Sequence, residues 1–313
     1  MVKENSTFYL LSTAILISIL LGILFPSIGL LVEPYILIWL GLLLFFNLIQ
    51  LNTNDLLITF KRTKILLLFS LIKLIVIPIS LYLIVSLIIY PKPSNDLILA
   101  IFLLSGISTG LGSPFVTNYI GAKLPIVVGI IITSSFAVPF ILPGLVYILF
   151  KNQFSIPIEN MILLLSVALF IPLISSNIIK KHFPKLIKKI ENKTLFFSII
   201  FVFLMNFAVF AKYSNLFFFN FDFVITNILI SFSLFFLYGF IGYFFARFIG
   251  LDKRERLSIF IAMSYVNNML VVVFAQQFFN TQVAALSAFY NIPYYIGILI
   301  LQKSITSNFI KIK

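Results

Sequence analysis

The chain has 313 residues, 61% hydrophobic and 10% charged, with a mean hydropathy of +1.16. Ordinary soluble domains are roughly half apolar and a quarter charged, so this balance excludes a soluble protein and predicts an all-α integral membrane one. The net charge of +13 would suggest nucleic acid in a soluble chain, but here the placement of the bases decides, and the absence of cysteine removes disulfides, thiolate metal sites and cysteine nucleophiles together.

Apolar runs long enough to cross a hydrocarbon core of roughly 30 Å recur from end to end. Ten are predicted, over residues 7–25, 35–51, 64–90, 96–121, 124–150, 158–180, 194–212, 222–250, 255–279 and 282–303. The first follows Lys3 and Glu4 and lacks a small-residue cleavage site, so it reads as a retained helix rather than a signal peptide.

The third run contains "SLIKLIVIPIS", with Lys73 inside an apolar stretch. Nine residues beyond Lys64, at 1.5 Å each, its Cα lies roughly 13 Å deep, near the midplane. A lysine stem of about 6 Å does not bring the ammonium to the surface from there. Facing lipid would cost about 2.5–3.5 kcal/mol on insertion scales, so Lys73 is expected to face protein or water.

In the fourth run, "LLSGISTGLGSPFVTNYIG" places Gly106, Gly110, Gly112, Pro114 and four hydroxyls from Ser105 to Ser113 in the middle of an apolar segment. Glycine frees the backbone and proline removes a donor, which predicts unwinding near residues 109–112. The helix is expected to restart with Ser113 as N-cap and Pro114 at its first position. In the sixth-to-seventh connection, "KKHFPKLIKKIENK", His182 is expected to be a solvated loop residue rather than a ligand or base. The ninth run, "AMSYVNNMLVVVFAQQFF", repeats the theme of the fourth, with Ser264, Tyr265, Asn267 and Asn268 predicting a second break near residues 265–268.

Ten helices divide into five and five, and an odd number per half forces the second half to enter from the opposite side, as in an inverted repeat. The repeats would occupy residues 1–151 and 158–313, meeting at "KNQFSIP". With both termini cytoplasmic, eighteen bases fall inside: Lys3, Lys61, Arg62, Lys64, Lys123, the six lysines from Lys180 to Lys193, Arg247, Lys253, Arg254, Arg256, Lys303, Lys311 and Lys313. Lys92, Lys151 and Lys212 fall outside, leaving Lys73 in the span. The basic excess therefore signals orientation and contact with anionic membrane lipid, not nucleic acid.

Unwound backbone at membrane depth is tolerated where it is buried in protein or lines a watery cavity. Two breaks at matching positions predict a polar centre between the halves. The plainer alternative is that the small residues permit close helix packing and the asparagines bond between helices. Restarted helix N-termini suit an anion, which makes Thr109, Gly110, Gly112, Ser113, Asn267 and Asn268 the candidate substrate residues.

At these residues the chain resembles the bile acid:sodium symporter superfamily. The stretch "SPFVTNYIGAKLPIVVGIIITSSFAVPFILP", residues 113–143, resembles the family's crossing helix four, its turn and the P-x-x-x-P of helix five, here Pro139 and Pro143. "NNMLVVVFAQQFF" resembles part of crossing helix nine, and "KLIVIP" resembles the part of helix three that carries a glutamine five residues before a proline, a place taken here by Lys73.

The resemblance implies alternating access by a core domain (helices 3–5 and 8–10) against a panel domain (helices 1–2 and 6–7). It also implies sodium-coupled transport of bile acids, pantoate or related organic anions; the expected assembly is a monomer or homodimer. It would place a coupling or cation site at Lys73, Ser113, Thr133, Ser134, Ser264 and Tyr265. The sequence departs from the family at Pro114, where the family has asparagine. Val127 and Ile131 replace hydroxyl ligands on helix five, and Phe260 or Ala262 stands near the sodium-site glutamate of helix nine.

A check on the residues agrees with that last departure. Glu4, Glu33, Asp55, Asp96, Glu159, Glu191, Asp222, Asp252 and Glu255 all fall in predicted loops or at helix ends. A family site with one glutamate and two sodium ions sums to +1, and a site with Lys73 and no glutamate also sums to +1. The expectation is a carrier in a prokaryotic plasma membrane that is either sodium-independent or proton-linked, with Lys73 in place of a sodium ion; a bound sodium ion remains an alternative. Auxin-type efflux, a channel and a non-transport membrane subunit are the other readings. The arsenite branch relies on a cysteine that is absent here. No cofactor or Walker motif is found, and no nucleophile–base or metal-ligand pattern predicts an enzyme.

Overall fold

The computed structural model describes residues 2–49, 62–90, 92–110, 112–191 and 193–306. Among these, regular structure is helical, apart from an isolated antiparallel bridge between Thr109 and Val266. The helices are α1 (Val2–Leu24), α2 (Pro26–Ile49, tightened to a 3-10 turn at Glu33–Tyr35), α3 (Thr63–Ile88), α4 (Asn95–Ser105), α5 (Ser113–Ile120), α6 (Leu124–Phe150), α7 (Ile158–His182) and α8 (Pro184–Glu191). After them come α9 (Thr194–Lys212), α10 (Ser214–Phe219), α11 (Phe221–Phe248), α12 (Lys253–Ser264), α13 (Asn268–Phe278), α14 (Thr281–Phe289) and α15 (Asn291–Thr306).

Six stretches are long and apolar enough to cross a membrane: Pro26–Ile49, Thr63–Ile88, Leu124–Phe150, Ile158–His182, Phe221–Phe248 and Thr281–Leu301. The chain is therefore a multi-pass membrane protein. Four further apolar helices are shorter, Thr13–Leu24, Asn95–Ser105, Phe196–Lys212 and Asn268–Phe278. Two of these, α4 and α13, are short because the fourth run is interrupted at residues 106–110 and 112 and the ninth at 265–267.

Three local expectations are corrected. The second span begins at Pro26, well before residue 35, because proline is pre-organised for a helix's first position and apolar residues continue through Val32. The basic connection after α7 is not plain loop, since Pro184 opens the short helix α8. His182 is exposed but lies in the last turn of α7 with Lys180 and Lys181, where cations meet the negative end of the helix dipole.

The chain forms two compact units, each drawn from both halves of the sequence. One falls within residues 1–51 and 166–226, the other within 52–165 and 227–313. In the first, α9 packs along α1 and α2, and an ion pair joins Lys212 to Glu33. The second holds α3 to α6, most of α11 and α12 to α15, with Phe69, Phe102, Phe235 and Phe274 fully buried in its core.

Within this second unit, α3 and α12 are tied by charge. Arg62, the N-cap residue of α3, pairs with Glu255 in the first turn of α12, where Asp252 and Glu255 form a capping box. Lys123 joins both acids, and the Asp252 carboxylate holds its ammonium above the ordinary lysine value. Eleven residues beyond Arg62, α3 meets the other end of α12 through Lys73.

Candidate functional site

Proline lacks an N–H, and Pro78 inside α3 disturbs the regular ladder on its N-terminal side. The turn from Ile72 to Val76 is a π-turn, with Ile77 N donating to Ile72 O. Such a turn inserts one residue and re-aims the side chains around it. Lys73 sits in it and is only 2% exposed. Its Nζ donates to the carbonyls of Ala262 at 3.1 Å and Met263 at 3.0 Å.

Those carbonyls belong to the last turn of α12, which ends at the second interruption. A helix leaves its last four carbonyls without intrahelical partners. Here all four are satisfied. Ile261 O accepts from Tyr265 N at 2.9 Å, Ala262 O from Lys73 and from Thr109 Oγ1 at 2.7 Å, Met263 O from Lys73, and Ser264 O from the Tyr290 hydroxyl at 2.7 Å. The Lys73 charge also sits at the negative end of the α12 dipole.

The two interruptions meet directly. Gly110 N donates to Tyr265 O at 2.7 Å and Asn267 N to Ser108 O at 2.9 Å, on either side of the Thr109–Val266 bridge. A Cβ on Gly110 would lie 2.7 Å from Val266 O, so only glycine permits this approach. Ser134 Oγ accepts from Thr109 N at 3.2 Å and donates to Ile130 O at 2.5 Å, fixing the first interruption to α6. Thr133 bonds Ser70 at 2.5 Å, one turn before Lys73 on α3.

The other predicted residues divide by what they touch. Ser113 is not the N-cap but the first residue of α5, its hydroxyl turned back to Gly110 O at 2.6 Å, and Gly112 takes the cap position. Asn268 spends its amide on Ser287 O (3.0 Å) and Asn291 Oδ1 (2.8 Å), stitching α13 to α14 and α15. Asn267 caps α13 without a side-chain cap bond and is 6% exposed. The hydroxyls of Ser264, Tyr265 and Ser108 are buried with no partner. Val127 and Ile131 are buried on α6, and the backbone of Ala262, not its side chain, meets the Lys73 cation.

Tyr290 and Tyr294 were not anticipated. Tyr290 caps Ser264 O, and the Tyr294 hydroxyl stands where a Cβ on Gly112 would come within 2.5 Å of it. Tyr294 packs edge-on against Tyr265, with ring centroids 4.7 Å apart. The cluster of Asn291, Pro293 and three tyrosines in "FYNIPYY" is the signal that could have drawn attention to this segment.

Among the described residues, Lys73 and Glu255 are the buried charged side chains. Glu255 is seven residues from Ala262, roughly 10 Å along α12, and is engaged by Arg62 and Lys123. The site at the interruptions therefore presents the Lys73 cation, two helix N-termini without a side-chain cap bond (α5 and α13) and unpartnered hydroxyls.

The model of the Sodium Bile acid symporter family matches residues 37–220, a stretch that includes Lys73 and the first interruption and ends before α12. No curated protein matches the chain.

Proposed function

The chain belongs to the sodium bile acid symporter family, whose members are membrane transporters of small molecules, and from that premise we propose that it is a secondary carrier of a small organic anion in which the Lys73 ammonium takes the place of a coupling sodium ion. The observation that carries this reading is the bonding of a buried ammonium to Ala262 O and Met263 O at the end of an interrupted helix. Backbone carbonyls are the hard oxygen ligands a sodium ion would use, and a tethered ammonium satisfies them without dissociating.

The substrate anion binds beside the paired interruptions, near the open N-termini of α5 and α13. The unit containing α3 to α6, most of α11 and α12 to α15 serves as the moving core and the other as the panel, in an inverted-repeat, ten-helix arrangement with both termini cytoplasmic. The distribution of bases supports that orientation. Proton linkage enters if Lys73 gives up its proton during the cycle.

The test is thermal stabilisation of the purified protein by a panel of organic anions, bile acids and pantoate included, in sodium and in potassium buffer. At a hundredfold excess over Kd a bound anion adds about 2.7 kcal/mol. The expected result is at least one anion that raises Tm equally in both buffers and loses its effect in Lys73→Gln. Stabilisation that requires sodium, or that survives Lys73→Gln unchanged, refutes the sodium-replacement reading. A panel without a single stabilising anion refutes the substrate class.

A further inference from the structure

We propose that the second unit carries a separate binding site for an oxyanion borne on an apolar stem, in a cavity at the start of α3. The cavity has a volume of about 350 Å³, at the small end of ligand pockets. Arg62, Lys123 and Glu255 supply its charged wall, and Leu66, Leu124 and Ile126 part of its apolar one. It lies at the far end of α12 from Lys73 and shares no residue with the site at the interruptions.

Donor and acceptor capacities point to the occupant. Glu255 Oε1 accepts from Arg62 and from Lys123 Nζ at 3.0 Å, and its Oε2 accepts from Asp252 N at 3.1 Å. Asp252 Oδ1 accepts from Glu255 N at 2.9 Å and its Oδ2 from Lys123. Both carboxylates are thus engaged through both oxygens. The bases are not used up. A guanidinium has five N–H donors and an ammonium three; among the described residues Arg62 spends one on this cluster and Lys123 two. Half of the Arg62 side chain and 38% of that of Lys123 remain exposed.

The surplus in the cluster is of donors, so the matching group is an acceptor. Glu255 shows how one is held, as a carboxylate clamped between a guanidinium and an ammonium. An incoming carboxylate or phosphate repeats that arrangement on the remaining N–H groups, while its apolar stem covers Leu66, Leu124 and Ile126. Glu255 is then a competitor for the same two bases. Its removal strengthens binding, whereas loss of a base weakens it. One charge-assisted hydrogen bond corresponds to about tenfold or more in affinity.

Two sources offer this chemistry, a soluble organic anion and an anionic lipid headgroup of the adjoining leaflet. The test uses the full-length protein in phosphatidylcholine nanodiscs, with and without phosphatidylglycerol, titrated with octanoate and, separately, with inorganic phosphate while Tm is followed. Octanoate is expected to raise Tm saturably and phosphate, which lacks the stem, much less. The half-saturating concentration is expected to rise about tenfold in Arg62→Gln and fall about tenfold in Glu255→Gln, each read against that variant's own unliganded Tm. Glutamine at 255 still suits the capping position, and opposite shifts are not the signature of a general folding defect.

If phosphatidylglycerol raises Tm in an Arg62-dependent way and abolishes the octanoate effect, the occupant is the lipid headgroup. If octanoate acts equally in both nanodiscs, it is a soluble amphiphile. The absence of any shift with either ligand, or shifts identical in the wild type and both variants, overturns the proposal.

Discussion

Gly110 shows how much of the site depends on single side chains, or on their absence. Its Cα comes so close to Val266 O that an added methyl would lie 2.7 Å away, inside van der Waals contact, and the obstacle is backbone, which cannot swing aside. Overpacking of this kind costs about 1–3 kcal/mol. Gly110→Ala is expected to lower Tm and abolish stabilisation by organic anions, because it parts the interruptions that form the site. Gly144 in α6 is the control, with open space around its Cβ position; Gly144→Ala should be neutral or stabilising by roughly 0.5–1 kcal/mol. Equal losses in the two variants, measured by thermal unfolding, would count against the role given to the contact. Lys73 was legible in the sequence because it is the one base inside an apolar run. Its acceptors were not, since which carbonyls a buried ammonium reaches depends on how α3 approaches α12. The tyrosines at 290 and 294 stayed hidden for a related reason: a membrane chain holds many tyrosines, and only tertiary packing separates a capping hydroxyl from an ordinary packing ring.

At the scale of elements, α12 is organised by its two ends. Its N-terminus carries the capping box of Asp252 and Glu255 with Arg62 and Lys123 around it, and its C-terminus carries Lys73, Thr109 and Tyr290. Acids at the positive end and a cation at the negative end both favour the helix dipole. Thr109 and Lys73 share the Ala262 carbonyl, so their contributions should couple. Thr109→Val alone removes one hydrogen bond to a carbonyl that Lys73 still satisfies, and should cost about 1 kcal/mol. Combined with Lys73→Met it leaves Ala262 O bare, at an unsatisfied-group cost of about 1–3 kcal/mol, so the double variant should lose more than the single losses added together. Strict additivity in a thermal double-mutant cycle would mean that the two side chains do not act on one carbonyl. The interruptions themselves could be read in advance, from glycines and hydroxyls in one run and paired asparagines in the other. The π-turn around Lys73 could not, because Pro78 announces a disturbance without saying which of several backbone solutions will absorb it. The cap of α5 was misplaced by one residue, since a serine hydroxyl bonded back to Gly110 O and a serine capping forward look alike in sequence.

For the whole molecule, the bases give the one signal that acts along the full chain. A lysine or arginine on the wrong side of a span is costly to translocate, so a split of eighteen bases against three favours the proposed orientation in a way that no single helix could. The exposed His182 lies among the many, and Gln153, exposed in the connection between α6 and α7, lies with the few. Because the chain has no cysteine of its own, a single introduced thiol reports its side without background. In intact cells, Gln153→Cys is expected to react with a membrane-impermeant maleimide, and His182→Cys only after the membrane is permeabilised. Gln153 precedes α7 and His182 ends it, and α7 is long and apolar enough to span, so their labelling must differ if α7 crosses. Reaction of both thiols in intact cells would remove α7 from the list of spans. Labelling with the sides exchanged would instead turn the carrier over and place the cavity at Arg62 on the outer face. The site geometry would survive that reversal, and a lipid headgroup at that cavity would then come from the outer leaflet.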